Sequence, residues 1–200
     1  MNTHTLSFIL IALLLPLGLS AQSNGGTRIS AGLALGKYGK FDNHIPFSNE
    51  TNRPSFIIQA ERDWVDNFSI GAYIGYSGQK HDYINKYSGD IKHNYYRVGA
   101  LLSYNLNPWL SQLDLNPGRN WDIYTSLKTG FSLEHRKIDK FNYNLNDELV
   151  SIQSDSDSNL LFDLGVSLGA RYYLSYDFAL FSELGWGNAG FLTLGASFTL

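Results

Sequence analysis

The segment Gly165-Val-Ser-Leu-Gly169 matches the G-x-S-x-G pattern, in which a serine nucleophile occupies a sharp turn between a strand and a helix. Apolar and small residues alternate on both sides of Ser167, which places it in the middle of a predicted strand instead. A serine in that position lacks the exposed elbow that nucleophilic attack needs. We therefore interpret the match as a chance one and predict no catalytic residue in this segment.

Asp155-Ser-Asp157-Ser-Asn159 begins like a calcium-binding loop, which alternates oxygen-bearing side chains. The pattern then fails, because Leu160 and Val166 stand where such a loop needs its Gly and its Glu. A solvated acidic loop is the main expectation, and a weak divalent-cation contact is the alternative. The chain has no Cys, which excludes disulfides, Cys-ligated zinc and thiol catalysis. We predict no metal site and no cofactor.

The composition differs from that of an ordinary soluble enzyme. The chain has 200 residues, and only 16% of them are charged, against about 25% in a typical soluble domain. Aromatic residues make up 14% of the chain, and it contains 19 Gly. The net charge of −3 gives no electrostatic reason to expect nucleic acid as a partner.

The N-terminal residues have the character of a targeting signal. An apolar run from Phe8 to Leu19 ends in the small residues Ser20 and Ala21, and it is shorter than the roughly 20 apolar residues of a spanning helix. We predict a secretory signal peptide over residues 1–21, followed by a single domain over residues 22–200. An uncleaved membrane anchor is the alternative.

The remainder of the chain alternates with a period of two, which indicates β-strands. We predict eight strands of roughly ten residues, the length that a tilted strand needs to cross a bilayer. They cover residues 29–35, 55–64, 68–77, 96–104, 121–134, 162–172, 178–187 and 192–200.

The chemistry of the two strand faces separates a membrane barrel from a soluble sandwich or a lipocalin-like barrel, which also alternate. A soluble barrel carries many Lys and Glu on its outer face. Here the apolar face carries almost no charge, with Arg62 as the exception, and the other face is rich in Gly, Ser and Thr. An apolar face toward lipid and a face of small residues toward a narrow lumen fit this pattern. The predicted fold is an all-β, eight-stranded antiparallel up-and-down transmembrane barrel.

Aromatic residues cluster at both ends of the apolar face, as expected of two girdles at the membrane interfaces. With the chain termini on the periplasmic side, the predicted inner girdle comprises Trp64, Phe68, Tyr104, Trp121, Tyr172, Phe178 and Phe198. The predicted outer girdle includes Tyr76, Tyr96, Phe162 and Trp186.

Charged residues on the opposite face are expected to meet inside the lumen. Their positions along the strands group Arg97 with Asp163 and Glu134, Lys128 with Glu183, and Arg171 with Glu61. Opposite charges at equal depth compensate one another where little water fits. We expect this lumen charge network to form a structural plug, and a switchable ion gate is the alternative.

The predicted outer loops cover residues 38–53, 79–92 and 136–159, with a tight fourth turn around Asn188. They are rich in Asn, Ser, Tyr and Asp. On the inner side, Asn107-Pro108 followed by Trp109 predicts an N-capped short helix with Pro at its first position. An irregular turn is the alternative for that segment.

The signal segment, the eight alternating strands, the Gly-rich inner face and the last strand Phe191-Leu-Thr-Leu-Gly-Ala-Ser-Phe-Thr-Leu200 resemble the small outer-membrane β-barrel domain family of the OmpA/OmpX general type. The resemblance extends from about Thr27 to Leu200, and Phe181-Ser-Glu-Leu-Gly-Trp-Gly187 is similar to the family's penultimate strand. It implies a bacterial outer-membrane location, contact with outer-membrane lipid, and recognition of the last strand by the barrel-insertion machinery. The family usually ends in an aromatic residue, whereas this chain ends in Leu200 with Phe198 two residues earlier.

Members of this family include anchors, adhesins, narrow channels and a few lipid-modifying enzymes. We expect a non-enzymatic, monomeric envelope protein whose outer loops contact an unidentified extracellular ligand, because recognition usually lies in loops on a rigid scaffold. A narrow solute or ion channel is the alternative. A lipid-A-modifying enzyme, with Ser88, Asp90 and His93 at the outer rim, ranks third.

Overall fold

Eight antiparallel strands form a closed barrel in a computed structural model, which describes residues 26–35, 48–83, 89–143, 149–187 and 190–200. Each strand pairs with its neighbours in the sequence, and β1 pairs with β8 to close the ring. The fold predicted from the sequence is therefore confirmed. The strands are β1 (Thr27–Leu35), β2 (Ser48–Val65), β3 (Phe68–Tyr83), β4 (Gly89–Asn105), β5 (Trp121–Tyr143), β6 (Leu149–Tyr173), β7 (Phe178–Trp186) and β8 (Leu192–Thr199).

The alternation in the sequence separates a lumen face from an outward face. Small polar side chains and a few tyrosines are buried in the lumen, whereas large apolar side chains on the outward face are exposed. Tyr124 in the lumen, for example, is 1% exposed, whereas Phe162 on the outward face is 69% exposed. Gly169 makes room for the lumen aromatics, because a Cβ atom there would lie 2.3 Å from the Tyr124 ring.

The connection between β4 and β5 contains the short helix α1 (Asn107–Gln112), so the predicted helix is confirmed in position. The predicted cap is wrong, because Leu106 occupies the N-cap position without a side-chain cap. The Asn107 side chain instead donates to the carbonyl of Trp121 at 2.6 Å and accepts from the amide of Ile123 at 2.9 Å. It fastens the helix to the start of β5.

At one end of the barrel, some strands extend further than others. We call the end that carries Thr27 and Thr199 the near end, and the opposite one the far end. The far parts of β2 to β6 stay paired with one another well beyond the ends of β1, β7 and β8. The outermost described pair of β5 and β6 is Tyr143 with Leu149, whereas the outermost pair of β6 and β7 is Val166 with Trp186. We call this extension the protruding sheet.

The protruding sheet corrects the predicted outer loops. Residues 48–53 of the first predicted loop are strand. Residues 79–83, 89–92, 136–143 and 149–159 are strand as well, so most of the second and third predicted loops is absent. Beyond a membrane-spanning band the chain no longer needs an apolar face, and the alternation that reveals a strand disappears while backbone pairing continues. The signal segment, residues 38–47 of the first loop and the turn at Asn188 lie outside the described residues.

Candidate functional site

Arg171 is the centre of an ion cluster in the near third of the lumen. Its guanidinium donates to Asp122 at 3.0 Å and also binds Glu61, and it is 2% exposed. Glu61 accepts further hydrogen bonds from Arg28 and Ser103, each at 3.0 Å. The buried Arg171 and the half-buried Arg28 thus compensate two buried carboxylates in this near cluster.

Glu183 organises a second cluster at middle depth. Its carboxylate accepts from the Lys128 ammonium at 2.5 Å, from the Tyr124 hydroxyl at 2.9 Å and from the Gln59 amide at 3.4 Å. The Tyr124 ring also lies 3.8 Å below the Arg171 guanidinium. Tyr124 therefore joins the middle cluster to the near one.

A third set of charges lies toward the far end. Arg97 is 3.4 Å from Asp163 and donates to the Ser77 hydroxyl at 2.9 Å. One layer further out, Glu134 accepts from the Tyr95 hydroxyl at 3.2 Å and lies 2.7 Å from Nδ1 of His93.

The predicted groupings by depth can now be compared with these contacts. The structure brings together Lys128 with Glu183, Arg171 with Glu61, and Arg97 with Asp163. The prediction also grouped Glu134 with Arg97 and Asp163, but the described contacts of Glu134 are His93 and Tyr95.

The predicted network omitted Arg28, which lies on the lumen face together with the buried Ser30. The alternation of β1 already contained that signal, because Arg28 and Ser30 are two residues apart. The cations Arg28, Arg97, Lys128 and Arg171 face the carboxylates of Glu61, Asp122, Asp163 and Glu183, and the formal charges of these eight side chains cancel.

The aromatic residues of the predicted girdles lie on the outward face in two bands. Near-end residues form cross-strand pairs, with ring centroids 4.7 Å apart for Phe68 and Tyr104 and 4.9 Å apart for Trp121 and Tyr172. Phe178 is directly opposite Phe198, and Trp64 is 62% exposed at the end of β2. The far-end band contains Tyr76 and Tyr96 at 5.4 Å, Phe162 beside Phe131 at 6.2 Å, and Trp186 at the end of β7.

A cavity of about 570 Å³ opens at the near end. Arg28, Asp122 and Arg171 line its inner part, and Trp64 and Trp121 are at its rim. We call this cavity the near-end vestibule. Tyr124, which is 1% exposed, lies at its inner limit. The cavity therefore leads to the charge clusters.

The residues with the types needed for catalysis are dispersed. Ser167 is buried and its hydroxyl is 2.6 Å from that of Ser126. Asp90 pairs with Lys80 at 3.0 Å, whereas His93 contacts Glu134, so these two members of the predicted rim set have different partners. The Ser88 side chain lies outside the described residues. Among the described residues, no three His, Asp or Glu side chains are grouped as a metal would require.

A continuous chain of ion pairs crosses the outward face of the protruding sheet. Asp90 lies between Lys80 at 3.0 Å and Lys92 at 3.8 Å, and Asp139 lies between Lys92 at 3.3 Å and Lys137 at 3.2 Å. Ser154 on β6 donates to Asp139 at 2.6 Å. The contacts thus link β3, β4, β5 and β6.

No helix in the described residues is long and apolar enough to span a membrane. The profile of the family described as outer membrane protein beta-barrel domain matches residues 8–191, and this chain belongs to that family. The protein is accordingly a bacterial outer-membrane β-barrel protein. No functionally curated protein matches the sequence.

Several solved structures are similar to this chain. Ail, the attachment invasion locus protein of Yersinia pestis, is 14% identical with a TM-score of 0.44, and the match covers 88% of this chain and 96% of that one. The N-terminal barrel of Pseudomonas aeruginosa OprF is 13% identical with a TM-score of 0.43, covering 89% and 98%. Neisserial surface protein A is 13% identical with a TM-score of 0.41, again covering 89% and 98%.

The ion pairs of the protruding sheet predict the titration of Asp139. The hydrogen bond from Ser154, followed by those from Lys137 and Lys92, holds the pKa of Asp139 below its ordinary value. Because the folded-state pKa is lowered, the contribution of this carboxylate to stability is complete at neutral pH and is lost as the pH falls through that pKa. Carboxyl NMR titration of the folded barrel is expected to show the low value.

The variant Ser154→Ala should move the pKa of Asp139 back toward its ordinary value, because it removes the strongest of the stabilising hydrogen bonds. Ser156→Ala on the same strand face, opposite Lys137, is the control and should leave it unchanged. An Asp139 pKa that is the same in the parent and in Ser154→Ala contradicts this assignment.

Proposed function

We propose that the protein is a non-enzymatic envelope protein with an adhesin-like or anchoring role, which presents the protruding sheet at the cell surface to an extracellular ligand. The observation that carries the proposal is the unequal height of the barrel wall. Five strands continue beyond the ends of β1, β7 and β8. A sheet that only spans a membrane gains nothing from this extension, whereas a paired scaffold is a rigid support for recognition.

The exposed edge of β6 supports an interaction role. From residue 154 to residue 162, no strand in the described part of the chain pairs with the side of β6 that faces β7. An unpaired strand edge offers amide and carbonyl groups to which an extended polypeptide can add. Leu160 on this edge lies two residues beyond Phe162 of the far-end aromatic band and is 68% exposed. The edge could therefore supply both hydrogen bonds and apolar contacts to a protein ligand.

The lumen charge network supports a structural role for the barrel beneath the sheet. Its side chains fill the narrow interior and bridge strands across it, as Lys128 of β5 does with Glu183 of β7. Bridges of this kind oppose the sliding or widening of the wall. In this proposal the network holds the base of the protruding sheet rigid and does not conduct solutes.

The outward aromatic bands support the proposed placement in the membrane. Aromatic side chains favour the headgroup level at both interfaces. In this proposal the near end, with both chain termini, faces the periplasm, residues 1–21 are a cleaved signal peptide and residues 22–200 form the mature barrel. The last strand would be the segment that the insertion machinery recognises, and the inserted protein would be a monomer.

Shortening the β5–β6 hairpin tests the interaction role. Asp139 and Ser154 are directly opposite in the register. Residues 140–153 can therefore be replaced by the two-residue turn Asn-Gly without shifting the pairing of the remaining strands. Cells that display this variant are expected to lose adhesion to immobilised fibronectin, to laminin or to an epithelial cell layer, whichever the parent protein binds.

The barrel itself should survive the shortening, because the spanning parts of all eight strands remain. Heat-modifiable mobility on gels and the amount in the outer membrane check this point. A matched control replaces only the residues 144–148 by the same turn. Unchanged adhesion of cells that carry the large deletion, with the barrel correctly inserted, would contradict the proposal and would favour a function located in the lumen.

A further inference from the structure

We propose that α1 and the residue that follows it form an interfacial anchor, which inserts the side chains of Trp109 and Leu113 into the lipid leaflet at the near end of the barrel. The partner of this surface is membrane lipid. The inference goes beyond the proposed function, because it concerns the end of the barrel opposite the protruding sheet. It rests on three features of the segment: its depth, the side of the helix on which the apolar residues lie, and its lack of charge.

The helix begins at the depth of the near-end aromatic band. Leu106, which immediately precedes α1, donates its amide to the carbonyl of Ile123 at 2.7 Å. Ile123 is two residues beyond Trp121 on β5, and the Trp121 ring lies 4.9 Å from that of Tyr172 in this band. Because neighbouring strands are about 5 Å apart, α1 leaves the barrel wall beside these rings and not beneath them.

Asn107 fixes the side of the helix that faces the barrel. Its side chain bonds to the carbonyl of Trp121 at 2.6 Å and to the amide of Ile123 at 2.9 Å, and it lines the near-end vestibule. An α-helix turns by about 100° per residue, so Trp109 and Leu113 are about 200° and about 240° further round than Asn107. Both therefore lie on the side turned away from the vestibule and from the start of β5.

This far side of the helix is apolar and exposed. Trp109 and Leu113 are 54% and 51% exposed, and no residue of α1 is buried. Side chains four positions apart on a helix are neighbours, so the two form one patch, which gains free energy when it leaves water. The outward face of the barrel beside the patch lies in membrane lipid, and the same lipid covers the patch without a further partner.

The segment carries no charge, in contrast to the two other near-end turns that the structure describes. Residues 106–113 contain no Asp, Glu, Lys or Arg, whereas Asp66 lies between β2 and β3 and Asp177 lies between β6 and β7. Charged side chains are costly in lipid, and tryptophan favours the headgroup level. An uncharged segment with a tryptophan at this depth therefore suits lipid.

Backbone groups at the start of the segment already have partners. The Asn107 amide donates to the side-chain oxygen of Asn105 at 2.8 Å, and Pro108 has no amide hydrogen. The Leu110 amide donates to the carbonyl of Leu106 at 2.9 Å. Such internal pairing lowers the cost of moving the segment from water toward hydrocarbon, which offers no hydrogen bonds.

Quenching of Trp109 fluorescence by brominated lipid tests the proposal. The full-length mature barrel with Trp64, Trp121 and Trp186 replaced by phenylalanine retains Trp109 as its only tryptophan. It is inserted into phosphatidylcholine vesicles whose acyl chains carry bromine either near the carbonyl end or near the methyl end. We expect the shallow bromine to quench Trp109 more than the deep one, and within about twofold of its effect on a protein that retains only Trp121, because both lie at the interface.

Matched variants define the two limits of this measurement. Ser156→Trp in a protein without other tryptophans is the aqueous reference, because Ser156 is exposed on the protruding sheet six residues beyond Phe162. In the protein that retains only Trp109, Leu113→Asp should weaken the quenching by lipid about twofold, because a charge draws this side of the helix toward water. Ser111→Asp is the control and should leave the quenching unchanged, since Ser111 is about 40° from Asn107 on the side that faces the barrel.

Two results would overturn the proposal. Quenching of Trp109 by acrylamide and not by brominated lipid, as expected for Ser156→Trp, would place α1 in water. Equal quenching by lipid in the parent, in Leu113→Asp and in Ser111→Asp would show that the side with Trp109 and Leu113 is not the one in lipid.

A spin label decides the matter should the tryptophan-poor proteins fail to give heat-modifiable mobility. The chain has no Cys, so Leu113→Cys in the parent carries a nitroxide at one site. Oxygen concentrates in lipid, and its collisions with this label should exceed those of a water-soluble nickel chelate. The reverse order contradicts the proposal. Ser111→Cys is the control and should collide more with the chelate than Leu113→Cys does.

Discussion

Replacing Glu183 by leucine is expected to lower the free energy of unfolding of the barrel by about 3–5 kcal/mol, the usual cost of removing one partner from a buried ion pair. Lys128 is 2% exposed and bonds to Glu183 at 2.5 Å. Without that carboxylate its ammonium remains buried beside the hydroxyl of Tyr124, which is a poor substitute for a charge. Urea unfolding in lipid bilayers, followed by tryptophan fluorescence, measures the change.

The double variant Lys128→Met with Glu183→Leu separates the loss of charge compensation from the loss of packing. It should regain most of the stability, because it leaves no buried charge without a partner and replaces the pair by apolar groups of similar volume. Glu134→Gln is the control at the far end, where the side chain is 15% exposed, and it should cost less than about 1 kcal/mol. A Glu183→Leu variant no less stable than the control would show that the pair does not hold the lumen together.

Pure protein in planar bilayers is expected to show no steady conductance in the nanosiemens range. The lumen of an eight-stranded barrel is just wide enough for side chains to fill. Here Tyr73, Tyr124 and Phe181 are buried within it at 4%, 1% and 4% exposure, beside the ion pairs. The near-end vestibule therefore ends at side chains and does not continue as an aqueous pore.

A variant with Tyr73→Ala, Tyr124→Ala and Phe181→Ala should show stepwise currents that the parent lacks, because it removes the large side chains and leaves the backbone barrel. The replacement of three outward aromatics, Phe131, Phe162 and Phe178, by leucine is the matched control and should stay closed. Steady large conductance from the parent protein would favour a channel over the interaction role proposed above.

The spanning part of the barrel could be predicted from the sequence, because a strand with one face toward lipid and the other toward the lumen alternates apolar and small residues. Residues 162–172 alternate apolar and small side chains, and β6 presents those two sets to opposite faces of the wall. The same alternation assigned Arg171 and Glu61 to the lumen. Strand parity is a local property, so it needs no knowledge of the remainder of the fold.

The protruding sheet could not be predicted in this way. Residues 136–143 and 149–159 lie beyond the ends of β1, β7 and β8, where no membrane-spanning face requires apolar alternation, and their strand character comes from backbone pairing across the hairpin. The polar sequence looked like a loop for that reason. The chain of ion pairs on the protruding sheet could not be predicted either, since Lys80, Lys92 and Lys137 become neighbours only through the register.

The sequence by itself determined the strand order, the two faces of the wall and which charges point inward, because each of these depends on residues close together in the chain. Depth along the strands also grouped Arg171 with Glu61 and Lys128 with Glu183, but only the tertiary structure decided the complete set of partners. It adds the Tyr124 hydroxyl and the Gln59 amide to Glu183, across 59 and 124 positions of sequence. These contacts span the lumen, and they are set by the stagger at which the barrel closes and by the reach of each side chain, neither of which any local pattern records.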